Sequence, residues 1–246
     1  MSQLQLSDNS KTKFRKNHSN TFGLMYGLPQ NGGTCPGATT GAGGCLDVRD
    51  GHKRETCYMA KITQIYKAVG SVLVANTSLL VGKTQQEMVE VLTNTVAEFV
   101  RKNKAHPDKL KFRLHYSGDF FSDDYAMAWA VVINKFPQVR FWAYSRSHSV
   151  AKFFVNCPNL TFYFSVDVVN FNNALAHWKE VSHLPNFGLA WLGTTEPPDP
   201  ELFRWVTCPE TSGKVKNLPD SGACSRCRLC IDNYKIKVKH IKFLVH

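Results

Sequence analysis

Apolar and polar residues alternate along three segments in the middle of the chain, as in β-strands with one polar face. These segments are LKFRLHYSGDF at 110–120, VRFWAYSRS at 139–147 and LTFYFSVDVV at 160–169. A helical pattern follows each of them, and FGLAWLG at 187–193 is a further predicted strand. Strands that alternate with helices indicate β/α units, a parallel sheet and right-handed crossovers.

The polar faces of these strands are unusual for a parallel sheet, because strands covered on both sides are apolar almost throughout. If helices cover the apolar faces, the polar faces line a common cavity. The pattern therefore predicts an α/β fold that forms a partial (βα) barrel with a polar lumen. The alternative is an α+β sheet with one face in water.

The remaining elements divide the chain into three parts. Residues 1–20 are predicted to be a basic flexible arm, residues 21–204 the partial barrel with an N-terminal cysteine loop, and residues 205–246 a small cysteine-rich metal-binding appendage with a C-terminal strand. Between 55 and 110 we expect a helix from Glu55 that stops at Gly70, a strand at SVLVAN, and a helix that begins at a capping box. The lysines of the C-terminal strand either contact phosphate or protect a sheet edge.

Composition limits the class of protein. The chain has 246 residues, of which 43% are hydrophobic, and 30 Lys and Arg against 19 Asp and Glu give a net charge of +11. It is too apolar to be disordered, it has no apolar run of the ~18 residues that a membrane span needs, and its polar N-terminus does not resemble a secretory signal. The surplus of basic residues favours nucleic acid as a partner, although many proteins are basic for no specific reason.

The strongest chemical signal is a group of four late cysteines with the pattern C-P-x14-C-x2-C-x2-C. They are Cys208, Cys224, Cys227 and Cys230. Three cysteines at two-residue spacing, completed by a distant Cys-Pro, are typical of ferredoxin-like 4Fe–4S clusters. Structural zinc is the alternative, although zinc more often takes two separated pairs, and unligated thiols are a third possibility.

A second group of cysteines lies in a glycine-rich loop, with the spacing C-x9-C-x11-C. Cys35, Cys45 and Cys57 could leave one metal position open, as catalytic sites do, with or without a fourth ligand from elsewhere in the chain. Buried structural thiols are the alternative. Cys157 lies between a predicted helix and a strand and is expected to be a core thiol.

Polar residues gather where the predicted strands end, which is where β/α proteins collect catalytic and cofactor-binding groups. The candidates for cofactor binding are His115, Ser117, Gly118, Asp119, Tyr144, Ser145 and Asp167, with Arg146 beside them. His115, Ser117 and Asp119 share strand parity and are expected to point inward together. The alternatives are a satisfied sheet histidine and a Gly-Asp turn, and Ser122 to Asp124 are expected only to cap the next helix.

Several short motifs are spread over residues 21–232: TFGLMYGLPQNGGTCPGATTGAGGC, CYMAKI, SGDFFS, FWAYSRS, TCPE and the C-x2-C-x2-C run. In these motifs the chain resembles the phage gene-product-88-like family, which looks related to radical S-adenosylmethionine enzymes. This resemblance implies a partial β/α barrel and iron–sulfur chemistry in the cytoplasm of an infected bacterium. It also implies that Cys35, Cys45 and Cys57 bind a 4Fe–4S cluster, and that Ser117, Gly118 and Asp119 lie where radical enzymes contact the methionine amino group.

Two hypotheses follow from these patterns. In the first, the protein is a radical-enzyme-like catalyst with one or two 4Fe–4S clusters, S-adenosylmethionine as a cofactor, and a nucleic acid or nucleotide as substrate. In the second, iron–sulfur or zinc centres only hold the fold together, and the basic surface binds nucleic acid or a host protein. The radical-enzyme pattern is C-x3-C-x2-C, so the much longer C-x9-C-x11-C loops favour the second hypothesis. Sequence does not indicate an oligomeric state.

Overall fold

A computed structural model gives the architecture of most of the chain. The structure describes residues 2–38, 45–46, 57–193, 196–198, 203–232 and 240–243. All statements below concern these residues. No helix among them is both long enough and apolar enough to cross a membrane.

The centre of the fold is one sheet of seven strands, and every pair of neighbouring strands in it is parallel. Its strands are β1 Thr21–Gly23, β2 Lys111–Ser117, β3 Arg140–Ser145, β4 Leu160–Val166, β5 Phe187–Leu192, β6 Trp205–Thr207 and β7 His240–Phe243. Their order in the sheet is β1-β2-β3-β4-β5-β7-β6. The predicted α/β class with a parallel sheet is therefore confirmed. Among the described strands β1 and β6 are the two edges, so the sheet is open, and a barrel stays a prediction.

Helices fill the connections between the strands. They are α1 Tyr58–Ile65, α2 Lys67–Ser78, α3 Gln85–Lys102, α4 Asp123–Lys135, α5 Phe171–Val181 and α6 Ala223–Cys227. Short 3-10 helices cover Pro29–Asn31, Pro107–Lys109 and His148–Phe154. When consecutive strands lie side by side, right-handed crossovers place all their helices on the same face of the sheet.

The apolar face of the strands packs under these helices, as the alternation predicted. Phe112, Phe141 and Phe162, from three neighbouring strands, belong to the main hydrophobic core together with Trp129 of α4. The intervening residues point the other way, and Tyr163 belongs to a separate cluster on the opposite face. Each inner strand therefore contributes to two different packing surfaces.

Several predicted boundaries are confirmed. The Thr84 hydroxyl and the Glu87 side chain form the predicted capping box at the start of α3. The Ser122 hydroxyl accepts a hydrogen bond from the Tyr125 amide and caps α4, which ends before Pro137. The short element that ends at Phe154 is a 3-10 helix.

The prediction for the segment around SVLVAN is wrong. This segment belongs to α2, and Gly70 lies inside that helix instead of stopping one. A short apolar run fits a buried strand and a helix equally well. The burial here has the helical period, because the buried residues of α2 are Leu73, Asn76 and Thr77, at positions i, i+3 and i+4. Residues 55 and 56 of the predicted preceding helix lie outside the described residues. Its described part is divided at Tyr66 between α1 and the first turn of α2.

The N-terminal segment is packed against the fold, whereas a flexible arm was predicted. Leu4 is 3% exposed within the main core, and its amide donates to the Thr95 hydroxyl of α3. Further along, Ser7 forms an antiparallel bridge with Thr21 of β1. Because the segment is mostly polar, its sequence gave no indication of these few apolar and backbone contacts.

The C-terminal segment also differs from the predicted appendage. Strands β6 and β7 join the central sheet, and the cysteine-rich stretch between them lies on the face of the sheet that the helices leave free. Strand β7 lies between β5 and β6, so it is not the predicted edge strand. The lysines at 235, 237 and 239, on which that prediction rested, lie outside the described residues.

Replacing Leu4 tests whether the N-terminal segment belongs to the core. We expect Leu4→Ala to lower the free energy of unfolding by about 2–5 kcal/mol, the usual cost of a leucine-sized cavity. The matched control is Gln3→Ala, because Gln3 is exposed. Chemical denaturation of both variants measures the difference. Equal stability of the two variants would mean that the segment is not anchored.

Candidate metal and cofactor site

The four late cysteines lie close together although they come from separate elements. Cys208 follows β6, Cys224 and Cys227 lie on α6, and Cys230 lies in the turn after α6. All four line one small cavity. Its volume of about 20 Å³ holds roughly one water-sized atom.

The polar face of the sheet forms the floor of this cavity. Trp142 of β3 lines it and is 1% exposed. Beside it, the ring of Tyr144 stacks on that of Tyr163 with 5.3 Å between centroids. The Tyr144 hydroxyl and the Cys230 thiol are neighbours, and burial raises the pKa of both groups well above their ordinary values. The predicted polar lumen is therefore filled at β3 and β4 by the chain's own cysteine-rich segment.

One arginine of the sheet fixes this segment in place. The Arg140 Nε donates to the Ile231 carbonyl at 3.1 Å, and its Nη2 donates to the Thr161 hydroxyl at 3.0 Å. That hydroxyl donates in turn to the Ile231 carbonyl. The turn that carries Cys230 is thus bound to two neighbouring strands through their polar side chains.

The N-terminal segment holds α6 from the other side. The Cys224 amide donates to the Lys11 carbonyl at 2.9 Å, and the Gly222 amide donates to the Lys13 carbonyl at 2.8 Å. A Cβ atom on Gly222 would lie 2.2 Å from the Lys11 carbonyl oxygen, so only glycine fits there. Sequence reasoning missed this contact, because backbone carbonyls leave no signature in the residue types.

The surroundings of Cys224, Cys227 and Cys230 raise the pKa of each of these three thiols. Burial, and then the neighbouring Cys224 thiol, raise the pKa of Cys230 well above its ordinary value. Burial also raises the pKa of Cys224 to about 11, with Cys208 and Cys227 acting in the same direction. Burial raises the pKa of Cys227 as well. Thiols of this kind become thiolates when a metal displaces their protons.

The early cysteines lie at the carboxyl end of the sheet. The Cys35 amide donates to the Gly27 carbonyl, and the Cys57 amide donates to the Cys45 carbonyl, both at 2.8 Å. The Cys45 thiol hydrogen-bonds to the Cys57 sulfur, and this contact and burial raise the pKa of Cys45. Burial, the Asp119 carboxylate and Cys57 raise the pKa of Cys35 to about 12. Residues 39–44 of the predicted loop lie outside the described residues.

The described side chains are not arranged as a ready coordination shell. Within the described ranges, no group of three or more His, Cys, Asp and Glu side chains is placed so that it could hold a metal ion. The thiols are near neighbours, but binding a metal would require them to rotate or shift.

Ser117, Gly118 and Asp119 connect the early cysteine loop to the strand ends. The Ser117 hydroxyl donates to the Leu24 carbonyl, and the Asp119 amide donates to the Thr34 carbonyl. Gly118 has φ +82°, and a Cβ atom there would lie 2.5 Å from the Thr34 hydroxyl. This turn needs glycine for both reasons, since other residues rarely adopt that φ.

The Asp119 carboxylate joins the ends of β2 and β3. It accepts hydrogen bonds from the Ser145 hydroxyl at 2.6 Å and from the amides of Arg146 and Phe120 at 2.8 Å each. It is buried, and burial raises its pKa to about 6, although these hydrogen bonds act in the opposite direction. Asp119 therefore stabilises the turn after β2, and it also lies where the sequence predicts a functional side chain.

The network continues to β4 through a buried ion pair. The Arg146 guanidinium contacts the Asp167 carboxylate, which also accepts from the amides of Val169 and Asn170. Asp119, Ser145, Arg146 and Asp167 thus form one connected row across three strand ends. The structure brings these predicted residues together as the parallel topology required.

His115 is placed differently from its predicted neighbours. Its φ of +54° breaks the strand alternation, and its Nε2 lies 2.8 Å from the Tyr125 hydroxyl of α4. Its ring packs edge-on against Phe22 and Phe120, inside the core between the sheet and the helices. The expectation that His115 points inward with Ser117 and Asp119 is therefore wrong, because that parity argument assumes an unbroken strand.

Cys157 is the core thiol that the sequence predicted. It is fully buried in the main hydrophobic core, and burial raises its pKa to about 11. It is separate from both groups of candidate ligands.

The fold and this site define an α/β protein with a seven-stranded parallel sheet, a thiol-lined cavity on one face and a polar network at the strand ends. The chain belongs to the Gene product 88 family, whose profile matches residues 3–233. It is 35% identical over 218 residues to the Gene 88 protein of Mycobacterium phage L5, and the aligned region covers 87% of this chain and 83% of that protein. It is also 35% identical over 223 residues to the Gene 88 protein of Mycobacterium phage D29, with 88% and 85% covered. No solved structure matches the chain.

The titration of Asp119 gives a test of this network. Its folded pKa of about 6 exceeds the ~3.9 of an unfolded aspartate, so the folded protein binds this proton more tightly. The stability that it contributes is therefore present below about pH 4 and is lost as the pH rises through about 6, by up to about 3 kcal/mol. We expect Asp119→Asn to remove this pH dependence.

Denaturation of the wild type and the variant at several pH values between 4 and 7.5 measures the effect. The matched control is Asp123→Asn, which changes a carboxyl group at the start of α4 that is exposed. If the stability difference between the wild type and Asp119→Asn stays constant with pH, the raised pKa is wrong.

Proposed function

We propose that this protein binds iron–sulfur clusters and acts as a catalyst resembling radical S-adenosylmethionine enzymes in the cytoplasm of an infected bacterium. The observation that carries the proposal is the convergence of Cys208, Cys224, Cys227 and Cys230 on one small cavity. Four thiols with no other evident task are the ligand set of a 4Fe–4S cluster or of a structural zinc ion.

The chemistry of the late thiols fits such a group better than their present positions do. Their protons would be released on binding, and the aromatic floor would keep water away from the centre. A cavity of about 20 Å³ is too small for a cluster without movement of the side chains. Because α6 has only five residues and is followed by a turn, its cysteines could move without disturbing the sheet.

The same small volume favours zinc as the second candidate at the late thiols, since a single ion needs less room. In that case the ion would hold the cysteine-rich segment on the sheet and take no part in chemistry. The basic surface would then bind nucleic acid or a host protein, as the sequence predicts. Binding that weakens steeply as salt is raised would support nucleic acid as the partner.

The early thiols and the strand-end row support a catalytic role. Cys35, Cys45 and Cys57 would hold a second cluster, and such a cluster supplies one-electron reduction of a bound S-adenosylmethionine. The chain's own residues would position the cluster and the bound cofactor, because the Asp119 network fixes the strand ends beside Cys35. Nucleic acid or a nucleotide is the proposed substrate class, on the charge of the chain alone.

Metal and sulfide analysis of protein purified without oxygen tests the proposal. We expect a brown protein with about four iron and four sulfide for each cluster. Cys230→Ser should lose the late centre and Cys35→Ser the early one, so each variant should retain about half of the iron of a two-cluster protein. Cys157→Ser is the matched control and should retain all of it, because this thiol lies in the core away from both groups.

Three other results would change the conclusion. A colourless protein with one zinc ion that Cys230→Ser abolishes would support the zinc alternative. A wild type without any metal would contradict both candidates. An iron-loaded, reduced protein that forms no 5′-deoxyadenosine from S-adenosylmethionine would contradict the catalytic role but not the binding of a cluster.

A further inference from the structure

A cavity of about 430 Å³ lies between the N-terminal segment and the last turns of α3. Its walls come from residues 3–6 and from the turn at 15–19 on one side, and from the end of α3 with its C-cap Asn103 on the other. Because α3 leads into β2, the cavity lies at the end of the sheet where β2 begins, opposite to the Asp119 network. Its volume is within the ~300–1,000 Å³ that small-molecule sites usually have.

Hydrogen bonds of the chain itself hold the walls of this cavity in place. The Gln5 amide donates to the Asn76 Oδ1 at 2.8 Å, and the Asn76 Nδ2 donates back to the Gln5 carbonyl at 3.0 Å. The Arg15 Nη2 donates to the Asn103 Oδ1 at 3.0 Å, and the Asn103 Nδ2 donates to the Phe99 carbonyl at 2.8 Å. A ligand therefore meets walls that are already ordered, which lowers the cost of binding.

The charged groups around the cavity are mainly basic. Arg15, which is half-buried, and Lys102 line it, and Glu98 is the one acidic side chain among the described residues that do so. Glu98 already pairs with Arg101 at 2.7 Å and with Lys102 at 3.4 Å. Arg15 donates only to neutral oxygens in the described part of the chain, and an arginine has more donors than these two bonds use. The cavity thus offers positive charge and free donors to an anionic group.

Neutral polar side chains and an apolar surface complete the lining. The side-chain amides of Gln3, Gln5 and Asn17 line the cavity on exposed residues, and each amide offers both a donor and an acceptor. The apolar part of the lining is Leu4, Leu6 and Phe99. A nucleotide needs the same three kinds of group, for its phosphate, for the edge of its base and for the faces of its base. Inorganic phosphate alone would leave most of the cavity and its amides unused.

We propose that this cavity binds a nucleotide, with the phosphate at Arg15 and Lys102 and the base at the amides of Gln3, Gln5 and Asn17. A free nucleotide and a unit of a single-stranded nucleic acid present this same chemistry, and the experiment below separates the two sources. The inference goes beyond the proposed function, because the site is separate from both groups of cysteines and needs no metal.

The experiment measures the binding of each of the common nucleoside monophosphates to the full-length protein by calorimetry. We expect saturable binding of at least one of them, weakening as salt is raised. Arg15→Gln should weaken it about 10–100-fold, because a hydrogen bond to a charged group is lost. Gln5→Glu should also weaken it, since a near-isosteric carboxylate then faces the phosphate.

The matched control is Gln86→Glu. Gln86 is exposed in the first turn of α3, at the opposite end of that helix from the cavity. All three variants lower the net charge by the same amount, so a general electrostatic effect would weaken binding equally in each. We expect Gln86→Glu to bind as the wild type does.

Parallel titrations identify the part of the ligand that is recognised and its source. The nucleoside without its phosphate should bind about 10-fold more weakly or worse, because the contact with Arg15 is absent. A single-stranded oligonucleotide of mixed sequence that binds more tightly than the monophosphates would identify a strand as the source. Equal or weaker binding of the oligonucleotide would identify a free nucleotide.

Several results would overturn the inference. They are a wild type that binds neither monophosphates nor the oligonucleotide, variants at Arg15 and Gln5 that bind as tightly as Gln86→Glu, and a nucleoside that binds as tightly as its monophosphate. Melting temperatures are measured for every variant, and if Arg15→Gln does not fold, the comparison of Gln5→Glu with Gln86→Glu decides alone.

The cysteine variants separate this site from the proposed metal chemistry. Cys35→Ser and Cys230→Ser should bind the nucleotide as the wild type does, because their thiols do not line this cavity. Loss of binding in both variants would place the nucleotide at the cysteines and overturn the inference. A protein that binds a nucleotide here but contains no metal would contradict the proposed function and support this site.

Discussion

The constraint on which this structure depends is that a parallel sheet must be covered on both faces. The strand order is sequential from β1 to β5, so right-handed crossovers bring the helices to one face only. The other face must be covered by something else. In this protein the cysteine-rich segment between β6 and β7 covers it at the centre, with Trp142 and Tyr163 buried beneath.

This arrangement explains why the central strands carry polar residues on the face that lies away from the helices. Arg140 and Thr161 are not there to meet water; they bind the backbone carbonyl of Ile231 and so hold the turn of Cys230. The N-terminal segment completes the enclosure through carbonyl oxygens of Lys11 and Lys13. Segments that are distant in sequence therefore meet around the four late thiols.

A second consequence concerns the strand ends. Because all strands are parallel, the turns after β2, β3 and β4 meet at one edge of the sheet. There Asp119, Ser145, Arg146 and Asp167 satisfy one another in a connected row, close to Cys35. The hydrogen bonds and the ion pair of this row hold the ends of three neighbouring strands together.

Much of this could be read from residue types. Alternation along β2, β3 and β4 correctly gave the strands, their two faces and the parallel α/β class, and capping residues gave the starts of α3 and α4. The elements that failed are those in which local pattern is ambiguous or is overridden. SVLVAN suits a strand or a helix equally, and the positive φ of His115 reverses its side without any signal in its neighbours.

The sequence by itself determined which groups this protein possesses: seven cysteines in two spaced sets, acidic and hydroxyl residues at strand ends, and one apolar and one polar face on each of three central strands. Only the tertiary structure decided that the cysteine-rich segment lies on the sheet and that the N-terminal segment hydrogen-bonds to the start of α6. The physical reason is that residue types and their period are local properties. Which surfaces meet depends on long-range packing and on backbone hydrogen bonds, which any residue can make.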